Sequence, residues 1–237
     1  MRKILVGVVL VGMFATAHPA LSQGIGSGDL ELNPFFGGSW YNANAFEISF
    51  PQSSPGEFKQ FKLEKAFRGG LRFNVYNGGH WGEEFMYSYE SNQTRFISVF
   101  PPRPELNLGI QVHQFAVNTL YYFDADPDLP VRPFLTFGIG GTLYRPTDEA
   151  KTIALDPLRG NFSAFEESLM FSFNYGWGIK IKAGDKVGFR IDARGYVGKS
   201  PTFGLPRAST DPTATVFPAG GALHNGEVTA GIVFYLN

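Results

Sequence analysis

No cysteine occurs among the 237 residues. Its absence excludes disulfides, thiolate metal centres and cysteine nucleophiles together, and suits a compartment where free thiols are a liability. Charge is scarce, at 17% of residues against roughly 25% in soluble domains. The net charge of −1 argues against nucleic-acid binding, which draws on a basic excess. Histidine is limited to four residues, and no two have metal-ligand spacing. Past the first residues, no apolar run reaches the ~20 positions of a membrane-spanning helix. Any crossing of a membrane would have to be made by strands.

What is abundant is aromatic side chain and glycine: 24 Phe, 10 Tyr and 29 Gly. With low charge, this combination describes a β-protein that carries much apolar surface. The first residues suggest a destination. Arg2 and Lys3 precede an apolar stretch from Ile4 to Ala17, followed by the small residues Ala20-Leu21-Ser22. This is the layout of a secretory signal peptide, with cleavage expected after Ser22 and Ala15-Thr16-Ala17 as a second candidate. Residues 1–22 are therefore read as signal and 23–237 as one domain. Removing Arg2 and Lys3 leaves 18 basic against 21 acidic residues, a net −3.

From residue 28 onward the hydropathy pattern has period two. Phe171, Phe173, Tyr175, Trp177, Ile179 and Ile181 alternate with Ser172, Asn174, Gly176, Gly178, Lys180 and Lys182. Eight such segments are expected, at 29–39, 62–76, 80–91, 109–123, 131–144, 168–182, 187–198 and 225–236. Their connections alternate in length. Long ones fall at 40–61, 92–108, 145–167 and 199–224, and short ones at 77–79, 124–130 and 183–186. Four long loops on one rim and three short turns on the other are the pattern of a bacterial outer-membrane barrel. The expected fold is all-β, an eight-stranded antiparallel up-and-down transmembrane β-barrel, with both termini on the periplasmic rim.

Volume decides which face points inward. One set of faces carries Glu31, Glu64, Arg68, Arg72, Glu84, Glu90, Arg132, Lys180, Arg190, Asp192, Arg194 and Glu227, together with many glycines. The opposite set carries the bulky aromatics. An eight-stranded barrel is only just wide enough inside for side chains, so the aromatics must face out, where lipid covers them. An Arg facing lipid near the midplane would cost about 2–4 kcal/mol. The charged residues are therefore expected to form an ion-paired, plugged lumen with a structural role; the alternative is a gated pore of low conductance. Trp40, Trp81 and Trp177 are expected in interfacial aromatic girdles. Pro34, inside a strand, predicts a bulge, and Glu83 shares its parity with outward Phe85.

No catalytic, cofactor or metal site is expected. The sequence contains no Gly-x-Ser-x-Gly and no phosphate-binding loop. The one group near a rim that could support nucleophilic chemistry is His224 with Ser200 or Ser209 and Asp211 or Glu227. Residues 51–57 and 200–213 read as exposed loops, where any recognition outside the cell would reside.

The chain resembles the OmpA-type, eight-stranded outer-membrane β-barrel family. Leu32-Asn33-Pro34-Phe35-Phe36-Gly37 is similar to a first strand. The stretch from Phe115 to Phe123, followed by Arg132 to Gly140, is similar to the fourth and fifth. Phe173 to Gly178, Gly188 to Asp192 and Val228 to Phe234 are similar to the last three. The resemblance implies a monomer surrounded by membrane lipid and lipopolysaccharide, with the outer-membrane assembly machinery as a partner. Members usually end on an aromatic residue, and Phe234-Tyr235-Leu236-Asn237 departs from that pattern. The peptidoglycan-binding domain that some members append is not expected, since the sequence stops at its eighth strand. A competing class is a soluble lipocalin-like binder, on Gly38-Ser39-Trp40; that fold would turn the apolar faces inward.

Overall fold

The computed structural model describes residues 29–42, 46–47, 58–98, 105–160, 162–206 and 222–236. The signal segment, residues 51–57 and residues 207–213 lie outside them, and so therefore do Ser209 and Asp211. The elements are β1 (Asp29–Tyr41), β2 (Phe46–Glu47), β3 (Phe58–Leu63), β4 (Ala66–Tyr76), β5 (Trp81–Ser98), β6 (Leu106–Tyr122), β7 (Val131–Pro146), α1 (Asp148–Leu155), β8 (Ser168–Lys182), β9 (Val187–Lys199) and β10 (Ala222–Tyr235). No helix among the described residues is long and apolar enough to cross a membrane.

All pairings are antiparallel; consecutive strands pair from β4 to β10, and β1 pairs with both β4 and β10. The sheet closes on itself and leaves no free edge in the barrel wall. β3 and β4 pair with the same strand, β5, and form one barrel strand interrupted at Glu64 and Lys65. The fold is a closed, eight-stranded antiparallel barrel. Gly78 and Gly79, at φ 89° and 61°, make the tight turn from β4 to β5, a backbone that side-chain-bearing residues rarely adopt.

Three local features depart from expectation. Pro34 makes no bulge. β1 holds one register against β10 on both sides of it, from Leu32 opposite Phe234 to Phe35 opposite Gly231. The N–H that proline lacks is replaced by the Asn33 side chain, whose Nδ2 donates to the Ile232 carbonyl at 2.9 Å. A bulge occurs instead at Glu64–Lys65, where Leu63 faces Thr94 but Arg68 faces Glu90. The extra residue switches the inward parity from Phe61 and Leu63 to Arg68 and Arg72. Finally, the segment expected as loop 145–167 contains α1. Thr147 caps it by accepting from the Ala150 N–H at 3.2 Å, Asp148 and Glu149 occupy its first turn, and Ala150 and Ala154 are buried.

The expected segments 80–91 and 109–123 are extended in the structure, with β5 running to Ser98 and β6 starting at Leu106. Along these extensions the chemistry of the two faces inverts. Below, Phe85, Tyr87, Phe115 and Val117 face out while Glu84, Glu90, Gln114 and Asn118 are buried inside. Above, Ser91, Gln93, Asn107 and Gln111 face out while Phe96, Leu106, Leu108, Ile110 and Val112 are buried. Parity continues unbroken; only the identity of the solvent outside explains the swap. A wall facing lipid needs apolar residues outside, and a wall facing water buries them.

Candidate functional site

The lumen is packed in three layers. The central layer is ionic and continuous. Glu84 pairs with Arg190 at 2.8 Å and Arg194 at 2.7 Å. Asp192 accepts from the same two guanidinium groups at 2.8 and 2.9 Å, and from Arg72 at 3.2 Å. Glu227 links Arg72, at 3.8 Å, to Arg68, at 2.9 Å, and Arg68 reaches Glu90 at 2.8 Å. Remaining valences are filled by neutral groups. Gln114 accepts from Arg68 at 2.6 Å, Thr229 from Arg72 at 2.8 Å, Ser39 donates to Glu90 at 2.5 Å and Tyr196 to Glu227 at 2.8 Å. Arg72 also stacks on Phe35, 3.6 Å from the ring centre. All eight charged side chains are fully buried. Four arginines meet four carboxylates, the balance that a low-dielectric interior demands.

Glycine on the opposing wall makes room for these long side chains. A Cβ on Gly140 would lie 1.9 Å from the Phe115 carbonyl oxygen, so β6 and β7 approach there as only glycine permits.

Above the ionic layer, on the long-loop side, lies an apolar plug. Phe61, Phe96, Phe162, Phe165 and Phe203 pack with Leu108, Ile110, Tyr144 and Leu205. The chain leaves β9 after Lys199 and folds back into the barrel to place Phe203. That residue has φ 52°, a left-handed backbone that is costly for a bulky side chain. Its N–H donates to Ser168 Oγ at 2.8 Å, its carbonyl accepts from the Glu166 N–H at 2.8 Å, and its ring lies 4.7 Å from that of Phe165. Packing thus holds the strained turn in place.

Below the ionic layer, on the short-turn side, Tyr76, Leu120, Tyr122 and Phe134 fill the barrel. Lys180 pairs with Glu31 and donates to the Tyr122 hydroxyl at 2.5 Å. Outside this end, Trp81, Tyr121, Phe123 and His80 form an aromatic cluster, with Trp81 and Tyr121 centred 5.0 Å apart.

Of the residues expected in the lumen, Glu64 is a correction. The bulge places it at the long-loop rim, partly exposed, with Arg95 3.1 Å away. Arg132 is a second: it is buried inside but has no ion pair among the described residues, and its guanidinium lies between the Tyr76 and Tyr122 rings. The expected match of six cations to six anions is therefore six to five. Trp81 and Trp40 lie near opposite ends of their strands, with Trp40 over Gly226. Trp177 instead lies inside the outward apolar run, between Tyr175 and Ile179, opposite Leu135 and Ala193. Glu83 faces outward two positions from Trp81, in the register expected.

His224 is exposed on the outer face, while Glu227 is inside and bonded to Arg68. These two members of the nucleophilic group therefore lie on opposite sides of the wall. His80 bonds the Tyr122 carbonyl oxygen through Nδ1 at 2.8 Å, and His113 lies 3.0 Å from the Tyr87 hydroxyl on the outward face. No metal-holding cluster occurs among the described residues.

No family model matches this sequence, and no curated protein matches it. Solved structures do resemble the fold. The outer membrane protein OprG from Pseudomonas aeruginosa aligns over 88% of this chain and 95% of its own, with 12% identity and a TM-score of 0.56. Neisserial surface protein A gives 11% identity, 88% and 97% coverage, and a TM-score of 0.46. Ail, the attachment invasion locus protein of Yersinia pestis, gives 12%, 88%, 99% and 0.39. At such identities the likeness is one of fold. The first of these shares the eight-stranded outer-membrane barrel architecture with this chain.

Proposed function

We propose that the protein resides in a bacterial outer membrane as a closed, monomeric barrel that displays a rigid surface platform and does not catalyse a reaction. Residues 1–22 direct export, both termini lie in the periplasm, and lipid, lipopolysaccharide and the assembly machinery are its partners. The observation that carries this reading is the inversion along β5 and β6. The outward apolar belt is what a bilayer would cover, and the part beyond it has its own apolar core, like a small soluble domain. A platform with a packed core, rather than a set of loose loops, supports a structural or surface-interaction role.

The lumen supports the closed reading over the low-conductance pore. Three successive layers fill it, and a cavity among Thr142, Tyr144, Ser172, Tyr196, Leu223 and Asn225 measures only about 10 Å³, room for one water. The outward direction of the aromatic faces also disfavours the lipocalin-like alternative.

The test has two parts. Membranes from cells expressing the full chain are extracted with detergent and run on a denaturing gel with and without boiling. A heat-shifted band in the outer-membrane fraction is expected; recovery in the soluble periplasm would refute the location. Purified protein is then added to planar bilayers. Flat traces are expected for the wild type, and regular conductance steps would refute the closed lumen.

A further inference from the structure

We infer that Arg132 is half of an anion-binding site at the short-turn mouth of the barrel, which takes a small carboxylate or inorganic anion from solution. Eleven charged side chains are buried in the described lumen. Ten of them are accounted for by the four-arginine, four-carboxylate network and by the Lys180–Glu31 pair. Arg132 is the eleventh, 6% exposed. A guanidinium does not shed its charge, and a buried charge without a counterion is among the most expensive things a fold can contain.

The surroundings of Arg132 supply shape without neutralising it. Its guanidinium carbon lies 4.6 Å from the centre of the Tyr76 ring and 4.1 Å from that of Tyr122. The two rings meet edge to face, 86° apart, and leave the edges of the guanidinium as its hydrogen-bonding sides. Nη2 donates to the Asp124 carbonyl over a long 3.4 Å, and Nε is buried with no partner. The aspartates of the adjoining turn form no ion pair with Arg132, although its charge helps to hold the Asp128 carboxyl low. Asp124 accepts from the Asp126 N–H and Asp126 from the Asp128 N–H, both at 2.9 Å, while Asp128 pairs with Lys182 at 2.7 Å. Lys180 lies directly across the β7–β8 ladder from Arg132 and is itself paired with Glu31. A buried guanidinium walled by two tyrosine rings, with one unfilled N–H, can take a planar carboxylate or a compact inorganic anion. Its location at the mouth, and not at mid-lumen, makes it reachable without opening the barrel.

The experiment is an NMR titration of the folded, full-length barrel in zwitterionic micelles, following arginine Nε–H resonances. Sodium chloride, sodium acetate and sodium phosphate are added separately, and Arg132→Gln assigns the Arg132 signal by its loss. The proposal predicts a saturable shift of the Arg132 signal with at least one probe, while the central arginine signals stay fixed. Acetate and phosphate distinguish a carboxylate site from a phosphate site, and chloride saturation with equal shifts for all three marks a site for small anions generally. A flat Arg132 signal, or an unsaturable drift shared by all arginines, would overturn the site. In a parallel measurement, the thermal midpoint of the wild type should rise with the binding anion and that of Arg132→Gln should not. Equal rises in both would also overturn it.

Discussion

Asp192 is the group on which the ionic layer turns, since its two oxygens accept from Arg72, Arg190 and Arg194. Replacing it by Asn keeps the shape and removes one negative charge. The remaining layer then holds four guanidinium groups against three carboxylates, with no solvent to screen the excess. Removing one partner of a buried ion pair costs about 3–5 kcal/mol, and the cost for Asp192→Asn should fall in that range. Urea unfolding of the refolded barrel in lipid vesicles, followed by tryptophan fluorescence, measures it. Asp185→Asn, in an exposed turn, is the control and should stay within about 0.5 kcal/mol. The sharper form adds Arg190→Gln to Asp192→Asn. The double variant restores three against three, leaving Arg194 with Glu84 and Arg72 with Glu227. It should be less destabilised than the sum of the singles, by roughly 0.5–3 kcal/mol. A single variant as stable as the control, or strict additivity in the double, would refute the claim that charge balance holds the lumen together.

Three further outcomes are expected. Phe137 faces out between Leu135 and Ile139, so Phe137→Arg should cost about 2–4 kcal/mol in the same assay, while Ser91→Arg, outward but beyond the belt, should be near neutral; equal costs would misplace the belt. Phe203→Ala should cost about 3–5 kcal/mol, reduced by the strain it relieves, and a change under about 0.5 kcal/mol would show that the plug does not pack against it. The Asp128 carboxyl, bonded to Lys182, is held below the usual aspartate value. The contact persists through the ordinary carboxylate range and is lost as pH falls through the lowered value. NMR titration should place the Asp128 midpoint below that of a free aspartate, and Lys182→Met should bring it back up; an ordinary midpoint in the wild type would contradict the contact.

The barrel was legible because period two and alternating loop lengths are properties of the chain itself. The inward charges were legible because volume forbids the aromatics from sharing an eight-stranded interior. The misplacement of Glu64 has a definite cause. A one-residue bulge at Glu64–Lys65 flips the parity, and nothing in the alternation of residues 58–68 marks the slip. The upper apolar plug could have been found. Leu106, Leu108, Ile110 and Val112 share the parity of Gln114, but the outward face turns polar over the same stretch, 92–108, that reads as loop. That boundary is where the surrounding medium changes, not where the strand stops. Helix α1 had a signal too, in Thr147 followed by Asp148 and Glu149. The isolation of Arg132 could not have been read, because pairing depends on which carboxylates reach across the lumen.

The central claim is that one continuous wall passes from lipid to water at a defined level. The absence of cysteine allows a nitroxide label to be placed at one position at a time along β5, from residue 83 to residue 95, in protein reconstituted in vesicles. Oxygen collisions report lipid and collisions with a water-soluble nickel chelate report water. High oxygen access is expected at Phe85 and Tyr87, high nickel access at Ser91 and Gln93, and little of either at inward Met86 and Ser88. Nickel access at Phe85 and Tyr87 equal to that at Gln93 would contradict the claim.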